Sequence, residues 1–196
     1  MLETRNSELE SRPSSAYLPP VTDKTPANIN DAIAALCPSC SMCCNGVLFA
    51  DVRLQGKDDP KLLQKLGIAL ERYGRVQRFC QPCPALRGGL CQVYTQRPTR
   101  CRSFECRLLK NVAAGKGDSD AALKLIRKTR KQAAKVVALL EQLGNEDMTR
   151  SLTARYEEVM SQPCDLSAGE EMFKVRGALL NEMSRLMHLL ESEFLT

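Results

Sequence analysis

Nine of the ten cysteines fall between positions 37 and 106, and their spacing is the part of this sequence that can do chemistry. The first group reads Cys37-Pro-Ser-Cys40-Ser-Met-Cys43-Cys44. The second is Cys80-Gln-Pro-Cys83, followed by Cys91, Cys101 and Cys106. A two-residue gap lets the chain turn so that both sulfurs point into one space, at the ~2.3 Å that zinc requires of each sulfur. Repeating the gap at 37, 40 and 43 supplies three convergent thiols. The same C-x2-C-x2-C run is one that grips a four-iron cluster, whose fourth ligand can come from far along the chain. Cys83, Cys91, Cys101 or Cys106 could supply it. Adjacent side chains leave the backbone in different directions, so Cys43 and Cys44 fit poorly on neighbouring corners of one tetrahedron. The pair points to two metal positions or to a thiolate bridging two metals.

All-sulfur ligation excludes calcium and magnesium and leaves Zn2+ or iron, the latter including an iron-sulfur cluster. A mixed Cys/His finger lacks its imidazoles, because His188, the only histidine, lies far downstream in a leucine-rich stretch. It reads as an ordinary helix residue, and a lone Asp51 reads as a surface carboxylate. Four thiolates around a divalent ion leave a net charge near −2 that the fold must offset. Arg97, Arg100, Arg102 and Arg107 stand in the right stretch, with Arg97 and Arg102 the favoured pair. Cys164, in a Gln-Pro-Cys-Asp turn remote from the others, is expected to be dispensable for metal binding.

The elements that must position these thiols are short. Tryptophan is absent and aromatics make up 5% of the chain, so something other than aromatic packing must hold the cysteine-rich part. Residues 1–28, with Pro13, Pro19, Pro20 and Pro26, read as a flexible leader. Asn30-Asp31 can cap a helix through Ala32, Ile33 and Leu36 that delivers the chain to Cys37. Val47, Phe49, Val52 and Leu54 suit a short strand, and Asp59-Pro60 opens a short helix that Gly67 ends. From Cys80 to Cys106, Gln81-Pro82, Arg87-Gly88-Gly89 and Arg97-Pro98 interrupt every apolar run, as expected where metal organises the backbone.

Beyond Gly115-Lys116-Gly117 the pattern turns helical. Asp118 opens a helix through Leu123, Ile126, Ala133, Val137 and Leu140, ending near Gly144. A second is expected from Asp147 to about Ser161. Ser167 with Glu170 forms a capping-box signature for a third, carrying Met172, Leu179, Met183, Leu186, Leu190 and Phe194 on one side. The fold class is therefore mainly α with little strand. A cysteine-cluster metal-binding domain over 29–112 precedes a region of packed C-terminal helices over 118–196.

The pieces Cys37-Pro-Ser-Cys40-Ser-Met-Cys43-Cys44, Cys83-Pro-Ala-Leu and Cys91-Gln-Val-Tyr94-Thr-Gln-Arg97-Pro98-Thr-Arg-Cys101-Arg102-Ser-Phe104 together resemble the YkgJ-type cysteine-cluster family of zinc- or iron-chelating domains. The resemblance covers roughly residues 37–109. It implies chelation by Cys37, Cys40, Cys43, Cys44, Cys83, Cys91 and Cys101, while Cys80 and Cys106 are additions from this chain's own spacing. The family usually has Gly after the second cysteine where this chain has Ser41, so a left-handed backbone is not expected to come as freely there.

Function follows in outline. No stretch has the length and apolarity of a signal peptide or membrane span, so a cytoplasmic protein is expected, in a reducing compartment where dense thiols bind metal more often than they form disulfides. The leading reading is a metal-binding protein with a structural or accessory role, a protein partner being conceivable on the C-terminal helices. An iron-sulfur enzyme or redox partner is the alternative, since a similar cluster occurs in a protein-modifying methylase. Against it, the Gly-rich nucleotide loop is missing and one distant histidine must serve all ten cysteines, so no catalytic residue is assigned. A zinc-stabilised nucleic-acid-binding module would use Lys124, Arg127, Lys128, Arg130, Lys131 and Lys135, within a formal charge of +5, but lacks interleaved aromatics to stack on bases.

Overall fold

Long apolar stripes occur beyond residue 118 and in the stretch before Cys37, and the architecture is built around them. The computed structural model describes residues 28–163 and 169–195. Most of the expected leader (residues 1–27), together with Cys164 and Ser167, lies outside the described residues.

In chain order the elements are α1 (Ile29–Cys40), β1 (Asp51–Arg53), α2 (Pro60–Lys65), β2 (Glu71–Tyr73), β3 (Val76–Cys80), β4 (Leu86–Arg87), β5 (Leu90–Cys91), α3 (Thr99–Ser103), α4 (Arg107–Ala113), α5 (Ser119–Gln142), α6 (Leu152–Ser161) and α7 (Gly169–Glu193). A 3-10 turn spans Tyr94–Gln96 between β5 and α3. The protein is mainly α with little strand, as its patterning implies. The larger sheet is antiparallel in the order β1-β3-β2, with Val52 opposite Phe79 and Arg72 opposite Gln77. The smaller is the β4-β5 pair, with Leu86 opposite Cys91.

Local chemistry sets most of these boundaries. The Asp118 carboxylate accepts from the Ala121 N–H at 2.6 Å and starts α5, whose buried residues Ala122, Ile126, Thr129, Ala133, Val136 and Leu140 recur at intervals of three and four. Asp59 caps α2 in the same way, accepting from Lys61 and Leu62, with Pro60 at the first helical position. Two helix boundaries depart from the patterning. The cap of α1 is Asn28, whose Oδ1 accepts from the Asn30 and Asp31 N–H groups, so the helix begins earlier than an Asn30-Asp31 cap would place it. Helix α6 begins at Leu152 and not at Asp147, because the Asp147 carboxylate accepts from both the N–H and the hydroxyl of Thr149 and holds a turn there. Ser151 provides the cap instead, accepting from the Ala154 N–H at 3.2 Å. Of the α7 stripe, Leu179, Met183, Leu186, Leu190 and Phe194 are buried, whereas Met172 is exposed.

Two apolar clusters result. The first joins Ala32 and Leu36 of α1, Met42, and Leu109 and Val112 of α4 to the buried stripes of α5, α6 and α7. The second contains Val52, Leu63, Ile68, Phe79, Ala85 and Val93, and lies under the sheet side of the molecule. Helix α5 packs most extensively on α7, and α1 lies across both α5 and α4. The loop before α6 reaches the cysteine segment, with the Leu152 N–H donating to the Gly46 carbonyl at 2.9 Å. Buried Arg155 fixes that loop by donating to the side-chain and backbone oxygens of Asn145 at 2.8 and 2.6 Å. Among the described residues no helix is long and apolar enough to cross a membrane.

Candidate metal centre

Cys37 and Cys40 occupy the last turn of α1. The helix ends where Ser41 turns left-handed, at φ 56°, and its N–H donates back to the Cys37 carbonyl at 3.1 Å. A residue with a Cβ pays on the order of 1 kcal/mol or more for this conformation. Ser41 is held in it because its own carbonyl accepts from the Cys44 and Asn45 N–H groups at 2.9 and 3.0 Å, while its hydroxyl donates to the Gly89 carbonyl at 3.2 Å. The left-handed turn therefore forms with serine, not glycine, at this position. Met42, fully buried, anchors the turn in the first apolar cluster, and Cys43 and Cys44 follow on the outgoing strand of the turn.

Cys106 arrives from the other end of the region as the N-cap of α4. Its sulfur accepts from the Leu109 N–H at 3.4 Å, and the packing of α4 on α1 brings it beside Cys37, Cys40 and Cys43. Cys83 is tied to the first group through the backbone, its N–H donating to the Cys44 carbonyl at 2.8 Å. The β4-β5 pair then returns the chain so that Cys91 comes back towards Cys83, with the Gln92 N–H on the Ala85 carbonyl at 2.8 Å. Cys101 sits on α3, whose first residue is fastened by Asp58: one carboxylate oxygen accepts both the N–H and the hydroxyl of Thr99, each at 2.7 Å. Partial burial acts to raise the Asp58 pKa, but the hydrogen bonds from Gln55 and Thr99 outweigh it and the net shift is downward. Sequence reasoning missed Asp58, although the run Asp58-Asp59-Pro60 is a turn signal that could have drawn attention to it.

Eight of the nine sequence-assigned thiols, Cys37, Cys40, Cys43, Cys44, Cys83, Cys91, Cys101 and Cys106, thus gather from four separate segments. Cys80 does not join them. It ends β3 with its sulfur 3.4 Å from a Glu71 carboxylate oxygen, next to the Arg78–Asp51 ion pair at 2.8 Å. Asp51 is accordingly a partner of arginine. All nine cysteines are free thiols.

Burial dominates the electrostatics of Cys37, Cys40, Cys43, Cys44, Cys83, Cys101 and Cys106. It pushes Cys37 and Cys101 up to about 12 and Cys40 and Cys44 up to about 11, with repulsion from neighbouring cysteines adding to the rise. Cys43 is pushed well above its ordinary value by the same causes, and Cys83 and Cys106 are raised as well. Cys37 is exposed, yet enough protein surrounds it for desolvation to be the largest cause of its shift. Arg97 opposes these shifts at Cys37, Cys44 and Cys101. Its guanidinium is 3.6 Å from the centre of the Tyr94 ring, and its Nε donates to the Tyr94 carbonyl. Arg130 acts on Cys40 and Lys110 on Cys106. Arg102, paired with Arg97 in the sequence reasoning, acts on Asp58 instead.

Among the described residues no three Cys, His, Asp or Glu side chains stand close enough to share an ion as they lie. The sulfurs are near enough to feel one another's charge without forming a closed shell. Neutral thiols pack as small apolar groups, and each has a single side-chain torsion through which to turn toward a common ligand position. The donor set itself, sulfur with cations beside it and no imidazole, suits zinc or iron.

One prediction concerns the contact that ties the two cysteine groups. A Cβ on Gly89 would lie 2.5 Å from the Pro38 carbonyl oxygen, at φ +83°, whereas one on Gly88, at φ +55°, meets nothing within 4 Å. Gly89→Ala should destabilise the protein by at least about 2 kcal/mol, and Gly88→Ala by only about 1 kcal/mol. Urea unfolding midpoints of both variants check this, and equal midpoints would show that the Gly89–Pro38 approach is not a constraint.

A largely half-buried all-thiol set gathered by short elements is the feature that characterises a cysteine-cluster domain. Residues 36–135 match the CxxCxxCC family, described as a putative zinc- or iron-chelating domain, and since the match spans half of the chain, this protein belongs to that family. No curated protein and no solved structure matches it.

Proposed function

We propose that this chain binds zinc or iron through Cys37, Cys40, Cys43, Cys44, Cys83, Cys91, Cys101 and Cys106, and that the metal has a structural or accessory role in organising the segment between them. The observation that carries the reading is the convergence of eight free thiols, seven of them half-buried and Cys37 exposed, from α1, the turn after it, the β4-β5 region and the α3-α4 junction. Cys80 stays outside the ligand set because its sulfur faces Glu71. Bound there, the metal supplies cross-links between segments that share few apolar contacts. Arg97, Arg130 and Lys110 offset part of the thiolate charge.

The basic face of α5 supports a nucleic-acid role less well. Lys124, Arg127, Lys128 and Lys131 are exposed, but Lys135 pairs with Glu182 at 3.6 Å and Arg130 donates to the Ser39 carbonyl at 2.7 Å. No aromatic residue lies on that helix to stack on a base.

Protein purified without oxygen, analysed for zinc and iron and scanned for visible absorption, tests the proposal. Stoichiometric zinc in a colourless sample supports a structural site, whereas iron with broad visible absorption supports an iron-sulfur centre and the redox or enzymatic alternative. A folded protein carrying neither metal, and taking up neither on reconstitution, would end the proposal.

A further inference from the structure

We infer that the eight thiols form two separate four-cysteine centres, one of Cys37, Cys40, Cys43 and Cys106 and the other of Cys44, Cys83, Cys91 and Cys101, so that the adjacent Cys43 and Cys44 serve different metals. The inference rests on the metal-binding reading above and divides its ligand set.

Packing separates the two groups. Cys40 and Cys106 lie against the first apolar cluster, with the helices. Cys83, Cys91 and Cys101 lie against the second, under the sheet. Each group is also assembled by its own structural device. For the first, α1 brings Cys37 and Cys40 to its end, Ser41 turns the chain back for Cys43, and the α1–α4 contact delivers Cys106. For the second, the Cys83 N–H on the Cys44 carbonyl fixes one edge, the β4-β5 pair returns Cys91, and the Asp58–Thr99 bonds set the helix that carries Cys101.

Cys43 and Cys44 are neighbours in the chain, so the two centres lie side by side. Two adjacent four-thiolate sites also use all eight gathered sulfurs, four for each tetrahedral ion, with none left over.

The test uses the full chain, reduced, demetallated and reloaded with zinc alone. Native mass spectrometry gives the zinc count, and brief alkylation followed by peptide mapping gives the protection of each cysteine. Two zinc ions per chain are expected, falling to one in Cys106→Ser and in Cys101→Ser and staying at two in Cys80→Ser. In Cys106→Ser, alkylation should reach Cys37, Cys40 and Cys43 while the other four remain protected. Cys101→Ser should expose Cys44, Cys83 and Cys91 instead. If either variant fails to fold, graded chelation of the unmutated chain keeps the test: thiols should become reactive in the same two sets of four. A single zinc per chain, or one pooled set of eight thiols losing protection together, overturns the division while leaving the metal-binding reading intact. No zinc bound at all overturns the division, and the metal-binding reading falls with it only if iron is not taken up either.

Discussion

Raising the pH by one unit through the neutral range should tighten zinc binding by as much as about four orders of magnitude for each ion held by four thiols, because each ligand must give up its proton. Four of these thiols start from a strongly protonated state. Burial holds Cys37 and Cys101 at about 12 and Cys40 and Cys44 at about 11, so at pH 7 all four carry their protons in the metal-free fold. The metal competes with those protons, and the competition eases as pH rises. The metal-free fold behaves in the opposite sense. A thiol whose pKa is raised by folding contributes stability that is complete below its unfolded value of about 8.5 and is lost as the pH climbs towards 11 to 12. Zinc affinity should therefore rise, and metal-free stability fall, over adjoining pH ranges. Chelator-competition affinities at pH 6, 7 and 8, with binding heats in two buffers of different ionisation enthalpy, count the protons released. An affinity independent of pH would mean that the thiols do not ligate. Arg97→Gln should weaken binding throughout, since Arg97 favours the thiolate at Cys37, Cys44 and Cys101.

Where local chemistry and periodicity agree, the structure follows the residues closely. Asp118 and the three- and four-residue spacing from Ala122 to Leu140 specify α5, Asp59-Pro60 specifies α2, and the stripe from Leu179 to Phe194 is the buried face at the end of the chain. The family pattern in the cysteines was legible for the same reason, since metal ligation restricts both residue type and spacing. Other features depend on partners distant in sequence. The β2-β3 pair has no apolar alternation to reveal it: Glu71, Arg72 and Tyr73 are all exposed, and β3 is fixed by β1 on its other side. Helix α4 is capped by a sulfur, which is not among the usual capping groups. The left-handed Ser41 is held by a hydroxyl contact to Gly89, 48 residues away. Arg155 reads as a surface residue of an amphipathic helix, yet it is buried because the Asn145 loop folds over it. Cys80 sits at the same two-residue gap from Cys83 that marks the other ligands, but β3 ends with its sulfur on the Glu71 side. Spacing reports which thiols can converge, and strand direction decides which do.

Removing the metal should unfold the sheet side of the molecule while leaving much of the helical side in place. The six buried residues of the second cluster, Val52, Leu63, Ile68, Phe79, Ala85 and Val93, must hold together strands of two to five residues and helices of five and six. Elements this short have little stability of their own. Structural zinc contributes an apparent ~10–16 kcal/mol in small domains, comparable to the roughly 5–15 kcal/mol net stability of a whole domain. Helices α5 and α7 instead bury Ile126, Val136, Leu140, Leu179, Leu186 and Leu190 against one another and their neighbours, with no cysteine in either. Amide hydrogen exchange under reducing conditions, with and without a chelator, separates the two parts. Protection between Asp51 and Ser103 should fall to that of an open chain on metal removal, with the end of α1 loosening at Cys37 and Cys40, while the centres of α5 and α7 keep most of theirs. Cys101→Ser should reproduce the loss on the sheet side in the presence of zinc. Cys40→Ser should loosen α1 against α4. Native protection from Cys37 to Cys106 after verified metal removal would show that packing alone folds this segment and that the thiols are not what holds it.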